Sequence, residues 1–315
     1  MRVLVTGATG FVGAAVVDAL TERGHLVRAC VRGPAVCRAQ EQATIGDIGP
    51  ETEWQDALAG IDAVVHLAAR VHVMHETVVD PLSAFRRVNV EGTRALAEAA
   101  AKAGVKRLVF LSSIKVNGEA TGRRAFEAQD PISPKDPYGV SKAEAESALH
   151  EIAARTSMEV VVVRPPLVYG PGVRANFLRM MSWLDRGVPL PFGAVDNRRS
   201  LVFLGNLADA LVSCVEHPEA VNQTFLVSDG EDLSTTALLR RLGQAMGRPA
   251  RLFFMPPSLM KSTAGLIGMG AQAERLLGSL QVNSQHLRKT LGWHPPFTVD
   301  QALAQTARWF EGRAS

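Results

Sequence analysis

The chain has 315 residues, 47% hydrophobic and 21% charged, enough for more than one typical domain and a sizeable buried core of ordinary globular composition. A net charge of only +3 makes no case for nucleic acid as a partner. Three cysteines, Cys30, Cys37 and Cys214, form neither a Cys-x-x-Cys motif nor an even framework, which argues against a disulfide scaffold and for reduced thiols in the cytoplasm.

The first strand reads Arg2-Val3-Leu4-Val5-Thr6, a short apolar run suited to a buried parallel strand. With the fold beginning there, no signal peptide is expected. Gly7-Ala8-Thr9-Gly10-Phe11-Val12-Gly13 follows, and an amphipathic helix runs through Ala14, Val16, Val17, Ala19 and Leu20 to a stop at Gly24. Strand, glycine turn and helix place a pyrophosphate on a helix N-terminus. Gly7 permits the tight turn, Gly10 lets backbone approach phosphate, and Gly13 lets the helix lie close to the strand. The spacing is Gly-x-x-Gly-x-x-Gly rather than Gly-x-Gly-x-x-Gly. A second strand ends at Val31-Arg32 with no acid for ribose hydroxyls. Arg32 is either a surface residue or a partner for a 2′-phosphate, and the second option favours NADP(H) with NAD(H) possible.

Strands and helices then alternate. A strand end and loop cover 44–48, a helix 50–59, a buried strand 63–69, and a long helix opens at Asp80-Pro81 and closes at Gly104. The run 107–113 is a strand, and 159–164 is another. This order implies a Rossmann-like, doubly wound parallel α/β sheet. Ligands in such sheets bind beyond the C-terminal strand ends, where Gly7, Arg32, Asp47, Ala68, Ser113 and Arg164 fall.

Tyr138-Gly-Val-Ser-Lys142 lies between the last two strands, on a helix running to about Arg155. Four residues apart, Tyr138 and Lys142 share a helix face. A free phenol titrates near ~10, and a neighbouring cation lowers that by roughly one to three units, making a proton shuttle. A solvated helix face carries the same spacing. Beyond Pro165 prolines punctuate shorter elements, giving two regions: 1–165 for the cofactor and 166–315 mainly for substrate, with about 200–216 returning to the main domain. The paired Arg123-Arg124 and Arg198-Arg199 suit a phosphorylated small molecule. The apolar stretch 255–280 is too interrupted for a membrane span. His72 and His75 have no evident third ligand, so no metal is expected.

Taken together, Thr6–Gly13, His66-Leu67-Ala68-Ala69, Asn89-Val90-Glu91-Gly92-Thr93, Ser112-Ser113, Pro137–Lys142 and Arg164–Gly172 resemble the extended short-chain dehydrogenase/reductases of nucleotide-sugar metabolism. The resemblance reaches Arg199–Asp209 and Leu291-Gly292-Trp293-His294-Pro295. It implies Ser113, Tyr138 and Lys142 as catalytic residues, Lys142 binding the nicotinamide ribose and lowering the tyrosine pKa. It implies a cofactor seat of Gly7, Thr9, Gly10, Phe11, Val12, Gly13, Arg32, Asp47, Ile48, Leu67, Ala68, Ala69, Asn89, Pro165 and Val168. Arg199 and Asn176 match contacts to a substrate diphosphate or sugar, although both also suit a plain surface. Val116-Asn117-Gly118 replaces the Val-Tyr-Gly of epimerases. The run Ser112–Glu119 is similar to bacterial surface-polysaccharide (O-antigen) ketoreductases acting on UDP-4-keto-6-deoxy-N-acetylhexosamines. The implied function is therefore a sugar-nucleotide 4-ketoreductase, with a nucleotide-sugar 4-epimerase holding NAD as the alternative and a non-enzymatic NADP sensor behind both. A homodimer through a helix pair that includes the Tyr138 helix is also implied.

Overall fold

The computed structural model describes residues 1–71, 80–266 and 270–314. Its strands are β1 (Arg2–Thr6), β2 (Leu26–Val31), β3 (Glu41–Thr44), β4 (Ala63–His66), β5 (Arg107–Leu111), β6 (Glu159–Arg164), β7 (Leu167–Tyr169), β8 (Leu201–Phe203) and β9 (Thr224–Leu226). Its helices are α1 (Phe11–Glu22), α2 (Gln55–Leu58), α3 (Pro81–Arg86), α4 (Gly92–Lys102), α5 (Pro137–Arg155), α6 (Ala175–Asp185), α7 (Leu204–Glu216), α8 (Thr235–Ala245), α9 (Pro257–Leu266), α10 (Gly270–Leu277), α11 (Gln285–Leu291) and α12 (Val299–Ala314). Seven strands pair in parallel in the order β3-β2-β1-β4-β5-β6-β9. This is the doubly wound α/β sheet that the alternation predicts. Its order reverses between β1 and β4, which leaves a crevice beyond their C-terminal ends.

The unbroken apolar strands follow from burial on both faces. Alternate side chains point to opposite sides. Val3, Val5, Val65, Val161 and Val163 pack with Val16, Leu20, Leu207 and Leu211 on the α1 and α7 side. Leu4, Val64, Leu108, Phe110, Val160 and Val162 pack with Leu96, Ala145, Leu149 and Ile152 on the α4 and α5 side. A third core joins α6, α8 and α12 through Phe177, Met181, Leu184, Leu239, Leu242 and Leu303. Tyr169 of β7 belongs to that third core and donates to the buried Asp229, which also accepts from Phe203 N of β8 and from Asn206 of α7.

Several elements differ from the sequence expectation. The helix predicted over 50–59 shrinks to α2, because Thr52 draws 47–52 into a turn: Gly49 N donates to its Oγ1, and that hydroxyl donates to Asp47 O. β3 precedes the predicted strand end, and β4 stops at His66, three residues early. The long helix opened by Asp80, whose side chain accepts from Ser83 N, is broken by a π turn at Arg87–Glu91. β8 pairs with β7 in a separate two-stranded sheet, and β9, an edge strand of three residues, carries too short an apolar pattern to be read from sequence. Among the described residues no helix is long and apolar enough to cross a membrane.

Candidate active site

The glycine turn closes over the point where the sheet order reverses. Gly7 has φ +68°, a left-handed conformation that favours glycine, and a Cβ there would lie 2.8 Å from Ala68 N. The turns after β1 and β4 therefore touch. A Cβ on Gly13 would lie 2.0 Å from Gly7 O, so α1 rests directly on the turn. Gly10 is the N-cap of α1 and its N–H donates to Gly7 O, 2.9 Å away; a Cβ there would approach only Gly7 O, at 3.1 Å. Phe11 packs towards the third core and would touch a Cβ on Gly172, while Val12 packs on the sheet. The open side at Gly10, with α1 starting behind it, fits a pyrophosphate. A side chain at Gly7 or Gly13 would push the turn or α1 out of place, and one at Gly10 would have only Gly7 O beside it, so the residues present fit a dinucleotide.

A polar strut beneath the turn went without a role in the sequence reading. The Thr6 hydroxyl meets His66 Nδ1 at 2.6 Å and accepts from Leu67 N and Ala68 N, while His66 Nε2 meets Thr93 Oγ1 at 2.9 Å. Burial, with a smaller contribution from Lys142, pushes the His66 pKa down to about 3, so the ring is neutral. Thr6, His66 and Thr93 lay inside quoted motifs; only the three-dimensional pairing gives them a function. Asn89, on the π turn, exchanges two bonds with the Arg70 backbone and donates to Ser141 Oγ, which donates to Tyr138 O. The extra residue of the π turn thus aims one amide at both the loop after β4 and the start of α5.

Ser113 stands half-buried just beyond β5 and caps a 3₁₀ turn, Ile114–Val116, its Oγ accepting from Lys115 N at 3.3 Å. That turn abuts the first turn of α5. Lys115 pairs with Asp136, the N-cap that accepts from Gly139 N, and a Cβ on Gly139 would lie 3.1 Å from Lys115 O. Pro137 at the first helical position suits this start. Tyr138 packs edge-on to Phe85, with ring centroids 6.2 Å apart. Lys142 is 2% exposed, and its Nζ lies 4.0 Å from the centroid of the Phe110 ring.

The expected electrostatics of this pair need correction. Burial, and then the Asp136 carboxylate, raise the Tyr138 phenol to about 12 instead of lowering it. Burial lowers Lys142 to about 7, opposed by the Glu146 carboxylate one turn on. Burial and Asp136 together hold the phenol protonated at neutral pH.

The remaining predicted residues have the following surroundings. Pro165 is buried and its carbonyl accepts from Ile114 N, which ties the end of β6 to the Ser113 turn; Val168 packs on the sheet core. Asp47 and Ile48 line a groove of about 1590 Å³ beside β3, and Ile48 lies under Gly92. Arg32 is exposed, its Nη1 3.6 Å from an Asp47 carboxylate oxygen. Asn176 is exposed near the start of α6, after Ala175 at φ +53°. Arg199 sits between Leu233 and Leu280 and donates to Gly278 O; burial lowers its pKa. Arg124, one of the basic pair expected to suit phosphate, is turned to Asp130 in a bidentate contact. His72 and His75 lie outside the described residues, and no group of three or more His, Cys, Asp or Glu suited to a metal occurs among the described ones.

The model of the NAD dependent epimerase/dehydratase family matches residues 3–228. A Vibrio cholerae protein named UDP-glucose 4-epimerase is 44% identical over 311 residues, covering 98% of this chain and 95% of that protein. A 3-beta-hydroxysteroid dehydrogenase of Mycolicibacterium neoaurum is 30% identical over 340 residues, covering 98% and 91%. Among solved structures, MoeE5 in complex with UDP-glucose and NAD superposes with a TM-score of 0.79 at 25% identity, over the full length of both chains. The UDP-N-acetylglucosamine 4-epimerase of Bacillus cereus superposes at 0.82 with 21% identity, over 99% and 100%, which speaks for the fold alone.

Proposed function

The chain belongs to the NAD dependent epimerase/dehydratase family, and from that premise we propose that it is a nucleotide-sugar 4-epimerase acting on a UDP-hexose. The observation that carries this reading is the 44% identity to a protein named UDP-glucose 4-epimerase, spread over 98% of the chain. In this reading Gly7, Thr9, Gly10, Phe11, Val12 and Gly13 hold a pyrophosphate. Asp47 and Ile48 border the adenine. Leu67, Ala68, Ala69, Asn89, Pro165 and Val168 line the rest of the cofactor, and Lys142 donates to a ribose hydroxyl. When bound, the nicotinamide supplies hydride acceptance and return. Ser113 holds the C4 oxygen by hydrogen bonding, and Tyr138, which must first be ionised, takes the hydroxyl proton as the phenolate and then returns it. Arg199 and Asn176 bind the diphosphate end, away from the reacting carbon, where binding energy holds the sugar while the ketone turns.

NAD is the cofactor of this reading. MoeE5, at 25% identity, is described with NAD, and Arg32 already faces the Asp47 carboxylate, which repels a 2′-phosphate. We also assign 1–165 to cofactor and 166–315 mainly to substrate, with about 200–216 returning to the main domain. The packing of α7 beside α1 supports that return.

A second reading, reduction of the C4 ketone of a UDP-4-keto-6-deoxy-N-acetylhexosamine, is favoured by Asn117. That residue stands where epimerases commonly carry a tyrosine, and here it accepts from Arg164 inside the protein. One experiment separates the two. The protein is incubated with UDP-glucose or UDP-N-acetylglucosamine and NAD, and separately with the keto sugar and NADH or NADPH. Interconversion of the UDP-hexoses without net cofactor change is expected. Stoichiometric loss of NAD(P)H absorbance with the keto sugar, and no interconversion, would replace the epimerase by the reductase.

A further inference from the structure

Among the described residues Lys142 is a buried cation without a direct anionic partner. No described carboxylate pairs with it, and the group its Nζ meets is the face of Phe110, itself fully buried on β5. The charged and titratable groups around it come from three elements. On β4, His66 stacks on the same Phe110, with centroids 5.7 Å apart and planes at 24°. On α5 stand Tyr138 and Glu146. On β6, Arg164 grips the Glu146 carboxylate, which also accepts from Ser112 Oγ, and Arg164 reaches on to Asn117 Oδ1 and Ala128 O. Glu146 is thus occupied, and it acts on Lys142 through space only, raising a pKa that burial has brought down to about 7.

A ring face and a carboxylate hold an ammonium differently. A carboxylate takes up N–H donors as it attracts the charge. A ring face attracts the charge through its quadrupole and offers no lone pair. We propose that Phe110 is the positioning residue of Lys142, seating the ammonium by its charge while leaving N–H donors for the ribose hydroxyls of the cofactor. The last clause rests on the NAD reading above; the seat itself does not. His66, stacked on the same ring and held neutral between Thr6 and Thr93, keeps the platform from tilting without adding a competing charge.

The test compares wild type, Phe110→Leu and Phe110→Tyr. Leucine keeps an apolar filling without a π face, whereas tyrosine keeps the face. The first measurement, on protein without added cofactor, follows the pH titration of the Lys142 ε-carbon by NMR with ¹³C-labelled lysine, the signal being assigned by its loss in Lys142→Arg. Losing an attraction for the charged form lowers a lysine pKa. The expected midpoint in Phe110→Leu is therefore about one pH unit below wild type, the tenfold that a desolvated cation–π contact supplies, with Phe110→Tyr close to wild type. The second measurement is NADH affinity by fluorescence from pH 6 to 9. Phe110→Leu is expected to bind roughly tenfold more weakly at the basic end and to recover towards pH 6, because acid restores the charge. Equal midpoints in all three proteins would overturn the seat. A loss of affinity in Phe110→Leu that is the same at every pH would reduce Phe110 to packing and overturn it too. A shifted midpoint with no NADH binding by the wild-type protein would support the seat and remove the cofactor reading instead.

Discussion

Tyr138 carries the proton in the proposed reaction, so Tyr138→Phe removes the transfer but keeps the ring that packs on Phe85. Turnover is expected to fall by about 10²- to 10⁴-fold with NADH affinity unchanged. Retained turnover in a steady-state assay would take the tyrosine out of its role. His66 makes a separate prediction, on stability. Its pKa is about 3 in the folded protein against an ordinary 6.5, so the unfolded chain binds a proton that the folded one refuses. The stabilisation is complete above 6.5 and is lost as pH falls through that window, at up to about 1.4 kcal/mol per pH unit. Urea unfolding at stepped pH should show this slope, and His66→Asn should flatten it; an unchanged slope would place the acid sensitivity elsewhere. Neither the neutral histidine nor the protonated phenol was legible in the sequence. Tyr138-x-x-x-Lys142 announces that the two share a helix face, but the pKa of each depends on what buries it, and that comes from β4, β5 and the Asp136 cap.

At the scale of elements the three glycines are separable. Gly13→Ala sets a methyl 2.0 Å from Gly7 O, and the obstacle is backbone, so α1 must move off the sheet. A loss of roughly 1–3 kcal/mol or more, together with loss of NADH binding, is expected. Gly10→Ala has an ordinary φ of −79° and meets only Gly7 O, at 3.1 Å. It should keep a nearly wild-type melting temperature and still lose NADH affinity, because its methyl points into the cradle. Calorimetry with cofactor titration distinguishes the two, and equal melting losses would contradict the division of labour. The buried Arg164–Glu146 pair gives a contrasting case. Glu146→Gln leaves an uncompensated guanidinium inside and is expected to cost about 3–5 kcal/mol in chemical denaturation. The glycine turn was readable because φ and close approach restrict a position to one residue type. The π turn was not, since a run of helix-compatible residues through Arg87–Glu91 shows no sign that one hydrogen-bond register is skipped. The turn at 47–52 was hidden for the opposite reason: Pro50 announces a helix start, and the Thr52 side chain overrides it.

At the scale of the whole molecule, the alternation of strands and helices foretold the seven-stranded parallel sheet up to β6, because each strand buried on both faces is an unbroken apolar run. β9 and the small β7–β8 sheet escaped, since strands of three residues draw their stability from neighbours rather than from a pattern of their own. The family resemblance also leads us to expect two copies associating through a helix pair that includes α5. Light scattering of the purified protein should then give about twice 33.8 kDa, and a single-chain mass would leave the site to one copy.

The backbone around Arg199 is pinned from far along the chain. Ser200 N donates to Leu280 O, Leu280 N to Arg198 O, and Val282 N to Ser200 Oγ. The glycine turn, by contrast, needs only the contact between Gly7 and the Leu67–Ala68 turn. During synthesis on a ribosome the two halves of the site therefore mature at very different times. The glycine turn and its Leu67–Ala68 neighbour are present once about the first seventy residues have emerged, and the rest of the proposed cofactor seat follows up to Val168, whereas the segment assigned to the sugar diphosphate stays open until residues 278–282 arrive. A nascent chain stalled between those points would present a cofactor seat with no substrate seat, and the order in which the ligands can first be captured is fixed by the direction of translation.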